Sequence, residues 1–287
     1  MNQLLRNSLL SRLAMAAGVT FALATASFAS TILDSQGFEA SAGYNPGVLQ
    51  GQNNWLWQGG ASTAIVENSV FKSGSQAVQV NRAANSDGRW GVSEDGHGYP
   101  QSPNSIIQID WDMNVSQTTG TPGVFGPFFG VEAYDDAVSG GPGEFGSFGV
   151  DATTRDVLYQ AQDTGQPTPT GQGVGTGWNH FSMVLNFATD QYSVYLNNSP
   201  TPLATTGFVD RGLGLTTFTD ADISGIAIAP DSSSQAMTGT AYIDNFKVQQ
   251  ITPEPGTLAM CVVGLPLVLG LAWRRRRKNL AICSRSS

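Results

Sequence analysis

The sequence predicts an all-β fold, a two-sheet antiparallel sandwich, set between two processing segments. Three observations carry this expectation. Glycine is abundant, at 34 of 287 residues, and each one in a helix interior would cost about 1 kcal/mol. Charged residues make up only 13% of the chain. Short apolar runs of strand length alternate with clusters of Gly, Pro, Asn, Asp and Ser, which is the punctuation of an all-β domain. Residues 30–252 are long enough to bury a sizeable core as one unit.

The candidate strands, in order, are 32–38, 64–67, 76–81, 106–115, 128–134, 145–151, 156–160, 179–187, 191–196, 223–229 and 241–248. The segment 105–115 alternates most clearly. Ile107, Ile109, Trp111, Met113 and Val115 share one face, and Gln108, Asp110, Asp112 and Asn114 share the other, so one side is core and the other is solvent or a site. Phe181, Met183, Leu185 and Phe187 repeat the pattern. Ala188-Thr189-Asp190 then leads into Tyr192, Val194 and Leu196, which reads as a hairpin. Residues 116–126, 139–143 and 164–177 read as long loops rich in Gly, Pro and Thr, the usual carriers of binding residues on a rigid scaffold.

The two ends have their own logic. Arg6 and Arg12 precede an uncharged apolar run over 13–26, and Ser27-Phe28-Ala29 places small residues at the exit. This predicts a secretory signal peptide over 1–29, cut between Ala29 and Ser30. At the other end, residues 253–287 begin with Pro253-Glu254-Pro255. An uncharged run over 257–273 follows, and then Arg274 to Arg277 and Lys278. As a helix that run spans about 25 Å, a little short of a ~30 Å hydrocarbon core, and the arginines can snorkel to extend it. A single transmembrane helix is expected there, with the basic cluster held in the cytoplasm and the globular domain outside.

The order Pro-Glu-Pro, apolar span, Arg cluster resembles the PEP-CTERM sorting signal of Gram-negative and related bacteria. The resemblance implies an exosortase-type processing protease as partner, contact with the inner membrane during export only, and a final place at the cell surface or in the extracellular matrix. Residues 279–287 are a departure, since the family's tail commonly ends sooner after its arginines.

Between the two ends, six Lys and Arg face 21 Asp and Glu, a net formal charge of −15 over 30–252. Such a surface repels nucleic acid and anionic lipid, whose recognition needs basic residues. Both cysteines, Cys261 and Cys283, fall in the tail, so the core has no internal disulfide.

Several core segments in sequence resemble the concanavalin A-like, laminin-G-like jelly roll. They are Gly37-Phe38-Glu39, Leu49 to Gln52 before Trp55, Val70 to Val80, Trp178 to Leu196, and Ala241 to Val248. The resemblance implies a sandwich with a concave face and carbohydrate binding as the common activity. The aromatic candidates for stacking on an extracellular polysaccharide are Trp55, Trp57, Trp90 and Tyr99. Against them stands ordinary burial, the usual fate of large aromatics.

Asp110 and Asp112 share a face with Cα atoms about 6.6 Å apart, a scale at which paired carboxylates serve glycosidases. The Glu-x-Asp-x-(x)-Glu strand of the jelly-roll glucanases is missing, however, and Asn114 holds the next position. The acids then read as a solvated or hydrogen-bonded rim, and no catalytic residue is assigned. The residues require no cofactor. The cation that would suit the acids in Gly-rich segments is Ca2+, with Asp87, Glu94, Asp95, Asp244 and Asn245 as candidate metal ligands. His97 and His180 are the only histidines, far apart in sequence and with no cysteine in the core, which gives a zinc site little support. No phosphate loop, dinucleotide fingerprint or Gly-x-Ser-x-Gly elbow is present. The expected role is therefore non-enzymatic, either polysaccharide binding or purely structural matrix interaction. A glycan-degrading hydrolase or lyase is the rival.

The sorting signal makes a direct prediction. Mass spectrometry of surface material should find a mature C-terminus near Pro255, and recovery of peptides from 274–287 in that material would overturn it.

Overall fold

The computed structural model describes residues 29–92, the backbone of 99–100, and residues 105–251. Alternation along the strands builds two antiparallel sheets. The nine-stranded sheet runs β15 (Ala204–Gly207), β14 (Gln191–Leu196), β13 (Asn179–Asn186), β8 (Ile106–Val115), β18 (Gly239–Ile251), β5 (Ala77–Arg82), β4 (Thr63–Glu67) and β2 (Gly47–Val48). In addition, β1 (Ala29–Asp34) pairs with β18. The seven-stranded sheet runs β12 (Pro167–Gly173), β11 (Asp156–Gln160), β10 (Gly143–Asp151), β9 (Pro127–Asp135), β17 (Asp220–Ala227), β6 (Gly88–Val92) and β3 (Trp55–Gly59). A short pair joins β7 (Tyr99–Pro100) to β16 (Thr217–Phe218).

The core lies between the inner faces of the two large sheets, and aromatic contacts tie them together. Phe181 sits opposite Trp111 in the β13–β8 register, and their rings stack at 5.5 Å. Phe148, from the other sheet, meets both edge-on at 5.8 and 5.4 Å. Edge and offset contacts of this kind add about 0.5–1.5 kcal/mol each beyond burial. A second cluster, Phe145, Phe187 and Phe208, packs at 4.9–5.3 Å.

The strand over 106–115 lies where its alternation predicts, and the hairpin between β13 and β14 forms with Asn186 opposite Gln191. Other expectations need correction. The run 32–38 is not one strand: β1 ends at Asp34, whose carboxylate accepts the Gln36 N–H at 2.8 Å. Gln36, Gly37 and Phe38 then all take positive φ, and this turn drives Phe38 into the core. The segment 164–177 is not all loop, because β12 lies within it at an edge of its sheet. Pro167 and Pro169 hid it, since proline is tolerated in strands chiefly at such edges. The strand expected from 223 begins three residues earlier, at Asp220.

The expected signal peptide and transmembrane span lie outside the described residues, as do Pro253, Glu254 and Pro255. Among the described residues no helix is long and apolar enough to cross a membrane. Ala29 and Ser30, where signal cleavage is expected, pair with Ile251 and Gln250, so the first strand of the sandwich lies antiparallel along the last, with a register shift between Thr31 and Leu33.

Candidate functional site

The stacking candidates come first. Trp55 and Trp57 do share a face, and Trp90 lies opposite Trp57 in the β3–β6 register, but that face is the inner one. Trp55 is 0% exposed and Trp90 1%. Trp55 packs against Phe38 and Phe246 and donates its Nε1–H to the Tyr44 hydroxyl at 2.9 Å. Trp57 is half-buried against the same core. None of the three forms an open stacking platform. The reason is energetic: an indole brings large apolar area and only one polar atom, so the sandwich interior claims it. Tyr99 lies in β7, where only the backbone is described.

The metal candidates scatter. Asp87 is committed to Arg82 at 3.2 Å and to the Ala227 N–H at 2.8 Å. Glu94 and Asp95 lie outside the described residues. Asp244 and Asn245 stand together at the bulge in β18.

The outer face of the seven-stranded sheet carries the densest chemistry. Alternation places Glu132 and Tyr134 of β9 outward, between the inward Val131 and Ala133. Asp220, Asp222 and Ser224 of β17 do the same around Ala221 and Ile223. Register sets them side by side: Asp222 lies opposite Glu132, Asp220 opposite Tyr134, and Tyr134 opposite Glu144 of β10. Arg89 of β6 reaches across to hold Glu132 in a fork, Nε to Oε2 at 2.7 Å and Nη2 to Oε1 at 3.2 Å. The Ser224 hydroxyl also donates to Glu132. Gln58 of β3 lies opposite Arg89. The resulting cleft has a volume of about 160 Å³, lined by Gln58, Arg89, Tyr134, Asp136, Asp220 and Asp222.

Electrostatics divides these acids into two kinds. Glu132 is ion-paired. Burial and the nearby Asp136 push the Asp220 carboxyl up to about 6. Burial, with Asp220 and Glu132 beside it, pushes Asp222 well above the ordinary carboxylate range. Glu144 is raised by burial and by Glu132 and Asp210, and its Oε1 is buried without a hydrogen-bond partner. Asp220 Oδ2 and Asp222 Oδ1 converge beside Gly91, and the carboxyl raised further, that of Asp222, is the one that keeps its proton. Burial also raises the Tyr134 phenol, reinforced by Glu132. The face therefore offers a fixed carboxylate beside protonated acids, an arrangement that can donate and accept hydrogen bonds and transfer a proton.

Gly91 is what lets the pair converge. A Cβ there would stand 2.0 Å from Asp222 Oδ1 and 3.1 Å from Asp220 Oδ2.

Asp110 and Asp112 lie elsewhere, on the outer face of the nine-stranded sheet. His180 Nδ1 is 3.3 Å from Asp112 and its Nε2 is 3.9 Å from Asp110. Nε2 therefore faces a carboxylate rather than a hydroxyl, and the histidine is not part of a Ser-His-Asp triad.

No protein-family model matches the chain, and no curated protein matches it. Solved structures do match. The endo-β-1,4-glucuronan lyase of the fungus Trichoderma reesei superposes with a TM-score of 0.50 at 8% identity, over 78% of this chain and 96% of that one. The cellulose-induced protein Cip1 gives 0.45 at 16% identity, over 69% and 91%. The alginate lyase Aly36B gives 0.43 at 11% identity, over 66% and 82%. At these identities the likeness is one of fold. The sandwich is shared with the glucuronan lyase.

The raised acids predict a pH dependence of stability. Asp220 and Asp222 hold protons in the folded state that the unfolded chain releases near 3.8. The Asp220 contribution is fully present below that value and is lost as pH rises through about 6, and that of Asp222, which is raised well above the ordinary carboxylate range, is lost as pH rises further. Asp222→Asn should thus gain stability relative to the natural chain between pH 4 and 8. Urea midpoints measured across that range test this, and a difference that does not change with pH would refute it.

Proposed function

We propose that this chain is an exported glycan-binding protein of the bacterial surface or extracellular matrix, and that the outer face of the seven-stranded sheet is its glycan site. One observation carries the reading. Gln58, Arg89, Tyr134 and the Asp220–Asp222 pair converge on one cleft, with donors and acceptors already oriented by their neighbours. Planar polar side chains held this way suit the hydroxyls of a sugar. The fold shared with the glucuronan lyase supports a role in polysaccharide chemistry, although a fold alone does not assign one.

The charge of the cleft narrows the ligand. Asp136, Asp220, Asp222, Glu132 and Glu144 crowd around a single Arg89, which Glu132 already occupies. A uronate carboxylate entering there would find Arg89 already paired with Glu132, and Asp136 and Asp220 in the lining. The site therefore suits a neutral glycan, unlike the ligand that the lyase's name implies. In this proposal the chain is cut near Ala29 on export, sorted at Pro253-Glu254-Pro255 by an exosortase-type protease, and held by the membrane only in transit.

A second reading, glycoside hydrolysis, is favoured by one specific feature. The Asp222 carboxyl, which burial keeps protonated, stands across the register from the ion-paired Glu132. Hydrolysis of a glycosidic bond asks for such a pairing of acid and carboxylate.

The secreted full-length protein should be retained on neutral polysaccharides in affinity electrophoresis and not on polyuronates. Gln58→Ala with Tyr134→Phe should weaken that retention by about tenfold, a loss of about 1.4 kcal/mol. Release of reducing ends that Asp222→Asn abolishes would favour the hydrolase reading. Retention confined to polyuronates, or unchanged in the double variant, would overturn the assignment of this face.

Calcium enters the proposal at a different place. Glu39 accepts hydrogen bonds from Ser75 and Gln76, and Asp244 accepts them from Lys72 and Ser73. Both carboxylates thus close on one loop. A Cβ on Gly37 would lie 3.2 Å from Asp244 Oδ1 and 3.4 Å from Asn245 Oδ1, so both oxygens face this turn. Among the described residues no three His, Cys, Asp or Glu gather. Two carboxylates, the Asn245 amide and the hydroxyls of Ser73 and Ser75 would hold the ion, a donor set that suits Ca2+. Calcium at a hundredfold excess over its Kd should stabilise the fold by about 2.7 kcal/mol. Thermal melting with calcium and with a chelator checks this, and equal midpoints would remove the claim.

A further inference from the structure

The outer face of the nine-stranded sheet holds a larger groove, about 650 Å³, that the site above does not use. Its floor crosses four adjacent strands. Tyr195 of β14 lies opposite Ser182 of β13, Ser182 opposite Asp110 of β8, and Asp110 opposite Lys247 of β18. Three strand spacings make that row about 14 Å wide.

The polar groups of this floor are held in place. Gln108 Nε2 grips both oxygens of Asp110 at 3.0 and 2.9 Å. His180 stands between Asp110 and Asp112. The Asn245 amide donates to Asp112 at 2.8 Å. Asn245 reaches it because β18 is bulged between Asp244 and Lys247, with Asn245 at φ 53°. A bulge re-aims a side chain at the cost of ladder hydrogen bonds, and a merely solvated face would not need one. At the rim, Asn197 and Asn198 both take positive φ, and Asn198 lines the groove with Ser199.

The chemistry selects a ligand class. Two carboxylates, Asp110 and Asp112, are matched by two lysines: Lys247 lies opposite Asp110, and Lys72 acts on Asp112 and His180. Balanced charge favours neither a polyanion nor a polycation. The strands of the floor are paired on both sides, so no free edge is available to add a peptide strand. The lining is too polar and too open for an acyl chain. What remains is a chain of neutral hydroxyl groups, with the Tyr195 ring and Val184 as apolar contacts under sugar rings.

We propose that this groove is a second glycan-binding site, so that one molecule holds neutral polysaccharide on both faces of the sandwich and cross-links it. The groove itself stands on its own geometry, while the cross-linking rests on the proposed function of the seven-stranded face. A protein with two such faces gains avidity and bridges chains, whereas a protein with one face only coats them.

The test uses the secreted full-length protein and a neutral polysaccharide, reading retention by affinity electrophoresis and bridging by turbidity. The wild type should do both. Gln108→Ala with Tyr195→Ala disables the groove, and Gln58→Ala with Tyr134→Phe disables the other face. Circular dichroism confirms that each variant is folded. Each double variant should still be retained, with apparent affinity lower by about tenfold, and should no longer raise turbidity. The variant carrying all four changes should lose retention. Turbidity unchanged in the groove variant overturns the proposal, as does complete loss of retention in the other variant, because the groove then holds nothing. Complete loss in the groove variant alone keeps the groove as a glycan site, removes the cross-linking, and sinks the reading of the seven-stranded face instead.

Discussion

The carboxylate of Asp244 holds the molecule together at its most consequential point. It is 0% exposed and accepts the N–H groups of Lys72, Ser73 and Asn245 at 2.9, 3.0 and 2.7 Å. Burial raises its pKa despite those bonds. Two of the bonds reach across 172 and 171 positions of sequence, fastening the last strand to the loop before β5. The third belongs to the bulge. Because Asn245 is turned there, Phe246 points inward to Trp55 and Lys247 returns to the outer face. The Asn245 amide reaches Asp112, and Asp112 orients His180. The packing of the N-terminal turn and the layout of the groove floor thus follow from one buried acid. Leaving such a group without its donors costs several kcal/mol, which explains why the arrangement is held so completely.

The two outer faces solve the same electrostatic problem in opposite ways. Taking a carboxylate out of water is costly, and a protein can answer with a partner or with a proton. On the nine-stranded sheet the answer is a partner. Burial would raise Asp112, but hydrogen bonds from His180 and Asn245 bring it below its ordinary value. On the seven-stranded sheet one partner, Arg89, serves Glu132. Burial works against the Arg89 charge, and Glu132 overrides it. Asp222 and Glu144 are left to hold protons, and Asp220 is raised less. The first face is balanced in charge and the second is acidic, though one alternating pattern generates both.

That pattern was legible in part. The alternation of 106–115 told which residues of β8 face outward, and Asp110 and Asp112 are found there. It could not tell that His180 lies beside them, because register between β8 and β13 is set by turns and core packing, not by either strand alone. The side on which the tryptophans lie is hidden for a related reason. Spacing of two gives a shared face but not its side, and the burial of an indole decides for the interior. The acids of the seven-stranded face carry the same kind of signal. Asp220, Asp222 and Ser224 alternate with Ala221 and Ile223 as clearly as β8 does, but the acidic start of β17 reads as a turn when apolar content sets the boundary. Arg89 and Glu132 are 43 positions apart, and only the fold brings them together.

Glycine links composition to the site more closely than turns alone require. The abundance that predicts a β fold also lies inside strands, where glycine ordinarily weakens pairing. Gly91 is one case, since any side chain there would occupy the space of the Asp222 carboxyl. Gly130 and Gly149 are another: they lie opposite each other on β9 and β10, and a Cβ on either would come within 2.8 Å of the Phe128 ring. On one side of the acids the missing side chain admits a carboxyl pair. On the other it lets a ring lie flat on the sheet within the small cluster of Phe128, Leu158 and Ile226. The outer face of the seven-stranded sheet is thus lowered where glycines stand and built up where Tyr134 and Arg89 rise. A cleft on a sheet needs that relief, because a strand face filled with side chains at every outward position would be level. The local loss of β propensity, up to ~1 kcal/mol per position, is offset by the aromatic core that Trp111, Phe148 and Phe181 hold between the sheets, so the sandwich can keep a polar hollow on its surface.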